Sequence, residues 1–300
     1  MLDFRVETFL AVCRHMNFTK AARELNITQP AVSHHIHYLE QAYGTALFQH
    51  NGKRLQLTEA GEILRRTLLT MKHDEQHLQK RMQQAASGTR DYSFGATLSV
   101  AEFMINEALG RFLQLHPDSH IQMQVADTKV LLSKLDSGEL DFAVVEGDFP
   151  KAEYDFFVFG TEEYVAAGDP EKAARYRGRR LTDLLVEPLL LREEGSGTRV
   201  ILEYYLKEHG LAAADFARTV EIGNIGAIKT LLKSGYGVSF LYRAAIRPEE
   251  AAATLGVIEL SDFRLRHDIM FLFPKNSNFR ADYTAIFREL RACAEETCGA

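Results

Sequence analysis

Two groups of residues in this chain have types and spacings that could do chemistry. The first lies in Thr28 to Gly44, TQPAVSHHIHYLEQAYG, where Thr28, Gln29, Pro30, Ser33, His34 and His37 gather at the start and along one face of a helical repeat. A glutamine can bond adenine at two points, and a serine hydroxyl or neutral imidazole can reach a base edge or a phosphate oxygen. Lys53 and Arg54 follow, two cations able to hold backbone phosphates or enter the minor groove. The plain alternative is a solvated helix face. The second group consists of hydroxyls and glycines, in Thr97-Leu98-Ser99 and in Gly195-Ser196-Gly197-Thr198. Each stands where a strand pattern gives way to a helix pattern. Hydroxyls beside free backbone N–H groups make an anion site, and glycines admit a ligand close to the backbone. An ordinary N-cap is the alternative for either one alone. Two such ends in one chain point to a cleft, and Glu146 at the end of a predicted strand would repel an anion or bond an amine. The ligand expected is a small anion, or a zwitterion whose amine meets Glu146.

The first group needs a helix to carry it. Thr28 is a good N-cap, Pro30 falls in the first turn, and Gly44 suits a left-handed C-terminal residue. Val32, Ile36, Leu39 and Tyr43 form the stripe expected to be buried. Upstream, Asp3 to His15 carries Phe4, Phe9, Leu10, Val12 and Cys13 at helical spacing, and Thr19 is expected to cap a short helix through Leu25. Asn26 tolerates the left-handed region, so Thr19 to Ile36 reads as helix, tight turn, helix. Downstream, Leu47 to His50 and Arg54 to Leu57 flank Asn51-Gly52, a strong two-residue hairpin signal. The head is therefore a winged helix-turn-helix.

Thr58 caps a pattern that continues to about Ala86, roughly 45 Å if wholly helical. Leu64, Leu68, Met71, Glu75, Leu78, Met82 and Ala85 alternate spacings of four and three, a seam that favours pairing with a second copy over a solvated connector. Ser87-Gly88-Thr89 ends it. From Tyr92 short strands alternate with helices: strands at 92–96, 121–125 and 142–146, helices at 101–115 and 128–137. A second series follows, with strands at 188–192 and 238–242 and helices at 198–209 and 226–233. A strand at 268–273 and a helix from about 279 to 296 close the chain. Such βαβ series make parallel sheets, and two α/β lobes around a cleft are the expected body.

Composition agrees with several soluble domains, for 300 residues at 46% hydrophobic content can bury more than one core. The net charge of −6 divides into +4 for residues 1–90 and −10 for the rest, and seven of the eleven histidines lie in the first part. The head is thus mildly basic and gains charge on acidification, while the body is repelled by DNA. The N-terminus lacks a signal-peptide pattern, and no apolar run approaches the roughly 18 residues of a membrane span. Cys13, Cys293 and Cys298 form no CxxC and no framework, so a reducing cytoplasm is expected. Enzyme signatures are missing: GSGTR lacks the Lys of a phosphate-binding loop, Val200 stands where a third dinucleotide-motif glycine is needed, and neither HExxH nor GxSxG occurs. His34, His35 and His37 have no further ligand at metal spacing, so neither a metal nor a cofactor is expected.

The run FTKAARELNITQPAVSHHIHYLE and then LFQHNGKRLQLTEAG resembles the DNA-binding domain of LysR-type transcriptional regulators, without a gap from Phe18 to Gly61. His34 and His37 stand where basic residues are frequent in that family, and His50 where Arg is usual. The segments GATLSVAEF, GELDFAVVEGD, LLLREEGSGTR and GAIKTLLKSGYGVSFL resemble its effector-binding domain, which is similar to periplasmic solute-binding proteins. The resemblance implies an α+β chain: a winged helix-turn-helix at 1–61, a linker and dimerisation helix with hinge at 62–90, and a two-lobed α/β effector-binding domain at 91–300. Lobe I would take about 91–160 and 265–300, lobe II about 161–264. It further implies a homodimer or homotetramer on double-stranded promoter DNA with an interrupted dyad, whose contacts change when a small-molecule effector binds. The rival is a solute-binding or enzymatic α/β protein with an incidental helical head.

Overall fold

The computed structural model describes residues 3–52, 54–147 and 149–297; Lys53 and Cys298 lie outside them. Three helices open the chain: α1 (Phe4–His15), α2 (Phe18–Glu24) and α3 (Gln29–Tyr43). Asn17, rather than Thr19, caps α2, its side chain accepting from the Lys20 N–H at 2.9 Å. The helix therefore starts two residues earlier than expected, and Thr19 lies within it. Asn26 turns the chain at φ +54°, and Thr28 and Gly44 cap α3 as the sequence suggests. Val32, Ile36 and Leu39 are buried with Phe9, Leu10, Val12, Ala21 and Ala22 in one core. Tyr43 is 57% exposed and Phe4 59% exposed; both lie at helix ends, outside the buried core.

The wing is a hairpin of β1 (Phe48–Asn51) and β2 (Arg54–Leu57) in antiparallel register, with Asn51 opposite Arg54. The strand thus runs one residue further than expected. The turn begins at Gly52, whose φ of +62° suits a residue without a Cβ. Thr58 then caps α4 (Glu59–Ser87), which Gly88 closes in the left-handed region. The expected seam divides. Leu64 and Leu68 pack into the head core, whereas Met71, Leu78 and Met82 are exposed.

Another face of α4 is committed to the body. His73 bonds the Leu140 carbonyl at 2.9 Å, Asp74 accepts from the Ser277 hydroxyl and from the Asn278 N–H, and Lys80 donates to Asp141 at 2.9 Å. Burial pushes the His73 imidazole down to about 4, so it is neutral and can serve the carbonyl as a donor.

The body contains β3 (Arg90–Ala96), α5 (Leu98–Phe103), α6 (Asn106–Leu115), β4 (Ser119–Val125), α7 (Thr128–Ser137), β5 (Phe142–Val145) and β6 (Tyr154–Gly168). It continues with α8 (Pro170–Arg175), β7 (Pro188–Leu191), α9 (Gly197–Glu208), β8 (Arg218–Glu221), α10 (Ile225–Lys233) and β9 (Val238–Tyr242). Last come α11 (Arg247–Ala251), β10 (Gly256–Val257), β11 (Leu265–Pro274) and α12 (Arg280–Thr297). The helix expected at 101–115 is two helices. The chain breaks at Met104 and Ile105, both amides bonding the Val100 carbonyl, so that Ile105 can be fully buried.

One sheet joins the strands in the order β4-β3-β5-β11-β6-β9-β7-β8, with β10 alongside β6. Its two ends are parallel triplets: β4-β3-β5, as expected, and β9-β7-β8, in which β8 is a strand the sequence pattern did not suggest. Between them β11 runs antiparallel to β5 and β6, and β6 antiparallel to β9. The sheet is therefore mixed, where sequence pattern suggested parallel series alone. Stacked rings of Phe94, Phe142 and Phe271, with centroids 4.9 and 4.5 Å apart, tie β3, β5 and β11 into one core. Each such ring contributes on the order of 2 kcal/mol through burial.

Candidate DNA interface and effector cleft

The polar face of α3 is held out by the helix that the apolar face anchors. Thr28, Gln29, Pro30, His34 and His37 are exposed and Ser33 is half-buried. Neighbouring turns orient one another: Gln29 Nε2 donates to the Ser33 hydroxyl at 3.0 Å, and His37 shares a bond of 2.9 Å with Gln41. Such i, i+4 bonds leave Gln29 and His37 each with a further polar atom for a partner. His35 points the other way, 2.9 Å from the Thr8 hydroxyl and edge-on to Phe4. Burial, with Arg5 nearby, lowers its proton affinity. On the wing, Arg54 is exposed next to the turn, and His50 is exposed on the opposite strand. The face is a row of exposed donors and acceptors on a rigid helix, with a cation on a separate hairpin packed to the same core.

The second group is assembled from the carboxyl ends of strands, where ligands bind in open α/β sheets. Thr97 follows β3, Glu146 follows β5, and Ser196 and Thr198 open α9 after β7. Thr97, Ser99, Glu146, Ser196 and Thr198 are all buried; Leu98 and Gly197 are half-buried. Neither Thr97 nor Ser196 caps its helix with its side chain, so the plain capping alternative fails for both. The Thr97 hydroxyl donates instead to the Glu146 carboxylate. The hydroxyls of Ser99 and Thr198 share a bond at 3.2 Å across the cleft. Gly197 brings α9 against Glu146: a Cβ there would stand 3.6 Å from the carboxylate oxygen.

Glu146 is thus the centre of the cleft. Burial pushes its carboxyl above the usual range, while the hydroxyls of Thr97 and Ser99 and the charge of Arg192 pull the other way. Two of the donors expected to receive a ligand anion, the Thr97 and Ser99 hydroxyls, already serve an internal carboxylate. A cavity of about 990 Å³ opens from Glu146, Gly195 and Gly197, passes α7, and reaches Arg65 on α4 and Leu10 on α1.

Sequence reasoning passed over Arg192 and Tyr164. Arg192 directly follows the buried run of β7 and is 5% exposed; a cation ending an apolar strand was the available signal. Tyr164 donates to the carbonyls of Thr198 and Phe240 at 2.8 and 3.0 Å, fixing the start of α9 to the sheet. No sequence signal distinguished it from any core tyrosine.

Comparison with known proteins bears on both regions. Residues 5–62 match the family model "Bacterial regulatory helix-turn-helix protein, lysR family", and residues 86–294 match "LysR substrate binding domain". The RuBisCO operon transcriptional regulator of Acidithiobacillus ferrooxidans is 28% identical, over 97% of this chain and 94% of its own length. Among solved structures, full-length LysG from Corynebacterium glutamicum with bound effector Arg gives a TM-score of 0.62 at 18% identity, covering 99% of each chain. The regulatory domain of Synechocystis CcmR in complex with 2-PG gives 0.61 at 19% identity, covering 68% of this chain and 97% of that domain. At such identities the solved structures speak for the fold. With a helix-turn-helix head and an effector-binding body each matched in its own right, the chain belongs to the LysR family of DNA-binding transcriptional regulators.

Proposed function

We propose that Gln29, Ser33, His34 and His37 read an operator in the major groove, with Thr28 and Pro30 setting the entry of α3, and that Lys53 and Arg54 hold the DNA backbone. The observation that carries this is the division of α3: Val32, Ile36 and Leu39 are buried, while Gln29, His34 and His37 stand exposed with Ser33 half-buried among them. The domain boundaries near residues 61 and 90, with lobe II at about 161–264, belong to the same reading. The exposed Met71, Leu78 and Met82 on α4 are the pairing face of a homodimer or of a homotetramer built from it. Two heads so related by symmetry call for a promoter with an interrupted dyad. The protein acts in the cytoplasm, where promoter DNA is.

The effector binds where Glu146 faces Gly195 and Gly197. Of a small anion and a zwitterion, the zwitterion fits better. Glu146 already occupies two of the hydroxyls that would receive an anion, those of Thr97 and Ser99, and its charge is complementary to an amine. The acidic body adds to this repulsion, although screening confines distant charges to roughly 8 Å.

A gel shift on DNA upstream of the chain's own gene tests the regulator reading. Binding at a specific fragment that survives excess unrelated DNA is expected. Equal affinity for all fragments, with substitution of Gln29 making no difference, would overturn the assignment of the face.

A further inference from the structure

Arg192 is buried at the end of β7, and a guanidinium out of water needs its charge matched. Its match is the next residue in the chain. Arg192 Nε donates to Glu193 Oε2 at 2.7 Å and Nη2 to Oε1 at 2.6 Å, a two-point fork. Consecutive residues of a strand point to opposite faces, so this pairing requires the chain to leave the strand here. It does so in a loop closed by the Ser196 N–H on the Glu193 carbonyl, with Gly195 at φ +92°. The two partners differ in exposure: the Arg192 side chain is 5% exposed and that of Glu193 37%. Gly223 lies beside the carboxylate, where a Cβ would be in ordinary contact at 3.5 Å from Glu193 Oε2.

A carboxylate thus rests on groups suited to a ligand at the end of each of two strands, and Gly195, in the loop that follows Arg192, lines the cavity with Glu146. Glu146 sits on the Thr97 hydroxyl after β5, and Glu193 sits on Arg192 after β7. They are not equally replaceable. Glu146 is buried and held by the hydroxyls of Thr97 and Ser99. Glu193 can swing into water from a position already more than a third exposed. A ligand carboxylate taking its place would conserve both charged hydrogen bonds to Arg192. Inorganic phosphate would satisfy Arg192 but would bring its negative charge toward Glu146.

We propose that Arg192 is the effector's carboxylate anchor, kept in reserve by Glu193, and that the effector is an amino acid or close analogue whose ammonium meets Glu146. This rests on the effector-cleft reading above and adds to it a residue, an internal competitor and a ligand class.

The test is titration calorimetry of the full-length chain against the twenty amino acids, with propionate, propylamine and inorganic phosphate as probes lacking one group or the other. At least one amino acid is expected to bind while the three single-charge probes do not. Glu193→Gln, which removes the competitor, should bind that amino acid about tenfold more tightly. Arg192→Lys, which keeps the charge but loses the fork, should bind it at least tenfold more weakly, with a cooperative melting transition without ligand showing that the fold is retained. In the double variant the advantage of removing Glu193 should disappear. An amino acid that binds with an affinity indifferent to both substitutions would overturn the role of Arg192 and leave the cleft reading standing. Binding of phosphate or propionate alone, indifferent to Glu146→Gln, or no binding in either the wild type or Glu193→Gln, would remove the cleft reading and the proposal with it.

Discussion

The face of α3 and the cleft around Glu146 are both polar, yet they are built in opposite ways. On α3 the side chains are exposed, and their mutual bonds, Gln29 to Ser33 and His37 to Gln41, span one helical turn. In the cleft the side chains are buried, and the bonds join Thr97 to Glu146 and Ser99 to Thr198, 49 and 99 residues apart. A surface of the first kind can be stripped without loosening the fold, because water replaces whatever is removed. One of the second kind is part of the core's polar accounting: removing a partner leaves a buried group unsatisfied. The comparison therefore says where a substitution should register. On α3 it should appear in DNA binding, and in the cleft it should appear first in stability.

The largest expected effect lies at the junction between these regions, where α4 meets the body. His73 is held near 4 by burial, and Asp136 is pushed up to about 6 by burial, against its bond from Tyr154. In the unfolded chain an imidazole titrates near 6.5 and an Asp near 3.9. His73 therefore contributes stability that is lost as pH falls from 6.5 to 4, about 3 kcal/mol. Asp136 contributes stability that is present near pH 4 and lost as pH rises to 6, of similar size. The two nearly cancel between pH 4 and 6. His73→Gln should become more stable on acidification across that window relative to wild type, and Asp136→Asn less stable, by urea denaturation. Parallel pH profiles in all three proteins would contradict this.

Next in size is Glu146→Leu, which takes the acceptor from Thr97 and the nearby negative charge from Arg192. A loss of about 2–3 kcal/mol is expected, seen as a lower melting temperature. If stability were unchanged, the cleft would not differ from the α3 face in the way described. The converse measurement is Gln29→Ala, expected to cost about 1–3 kcal/mol of preference for the specific site over mismatched DNA, with thermal stability unchanged within about 0.5 kcal/mol. The smallest effect belongs to Arg54→Ala. It should weaken all sequences alike and lower the slope of log affinity against log salt by about one or less. A selective loss at one operator position would instead make Arg54 a base reader.

How far the sequence itself reached follows from the range of the forces involved. In the head, the cap at Thr28, the left-handed turns at Asn26 and Gly44, and the stripe of Val32, Ile36 and Leu39 were all legible. They depend on backbone stereochemistry and helical period, which act within a few residues. Even there Thr19 was given the role of Asn17, because both are capping residues and only the packing of α2 against α1 chooses the start. In the body the longer helices and most strands were legible one by one, although α5 and α6 read as a single helix and the short α8 and α11 were missed. The pairing of the strands was not: β6, β8 and β10 went unread, and β6 and β11 place antiparallel strands between two parallel triplets. Likewise Thr97, Ser99, Glu146, Ser196, Gly197 and Thr198 could be named as polar groups at strand ends. That Glu146 would occupy the Thr97 hydroxyl, or that Arg192 would sit buried against Glu193, could not. Those outcomes depend on which distant strands become neighbours, a choice made by the burial of the whole core, and no local pattern carries it.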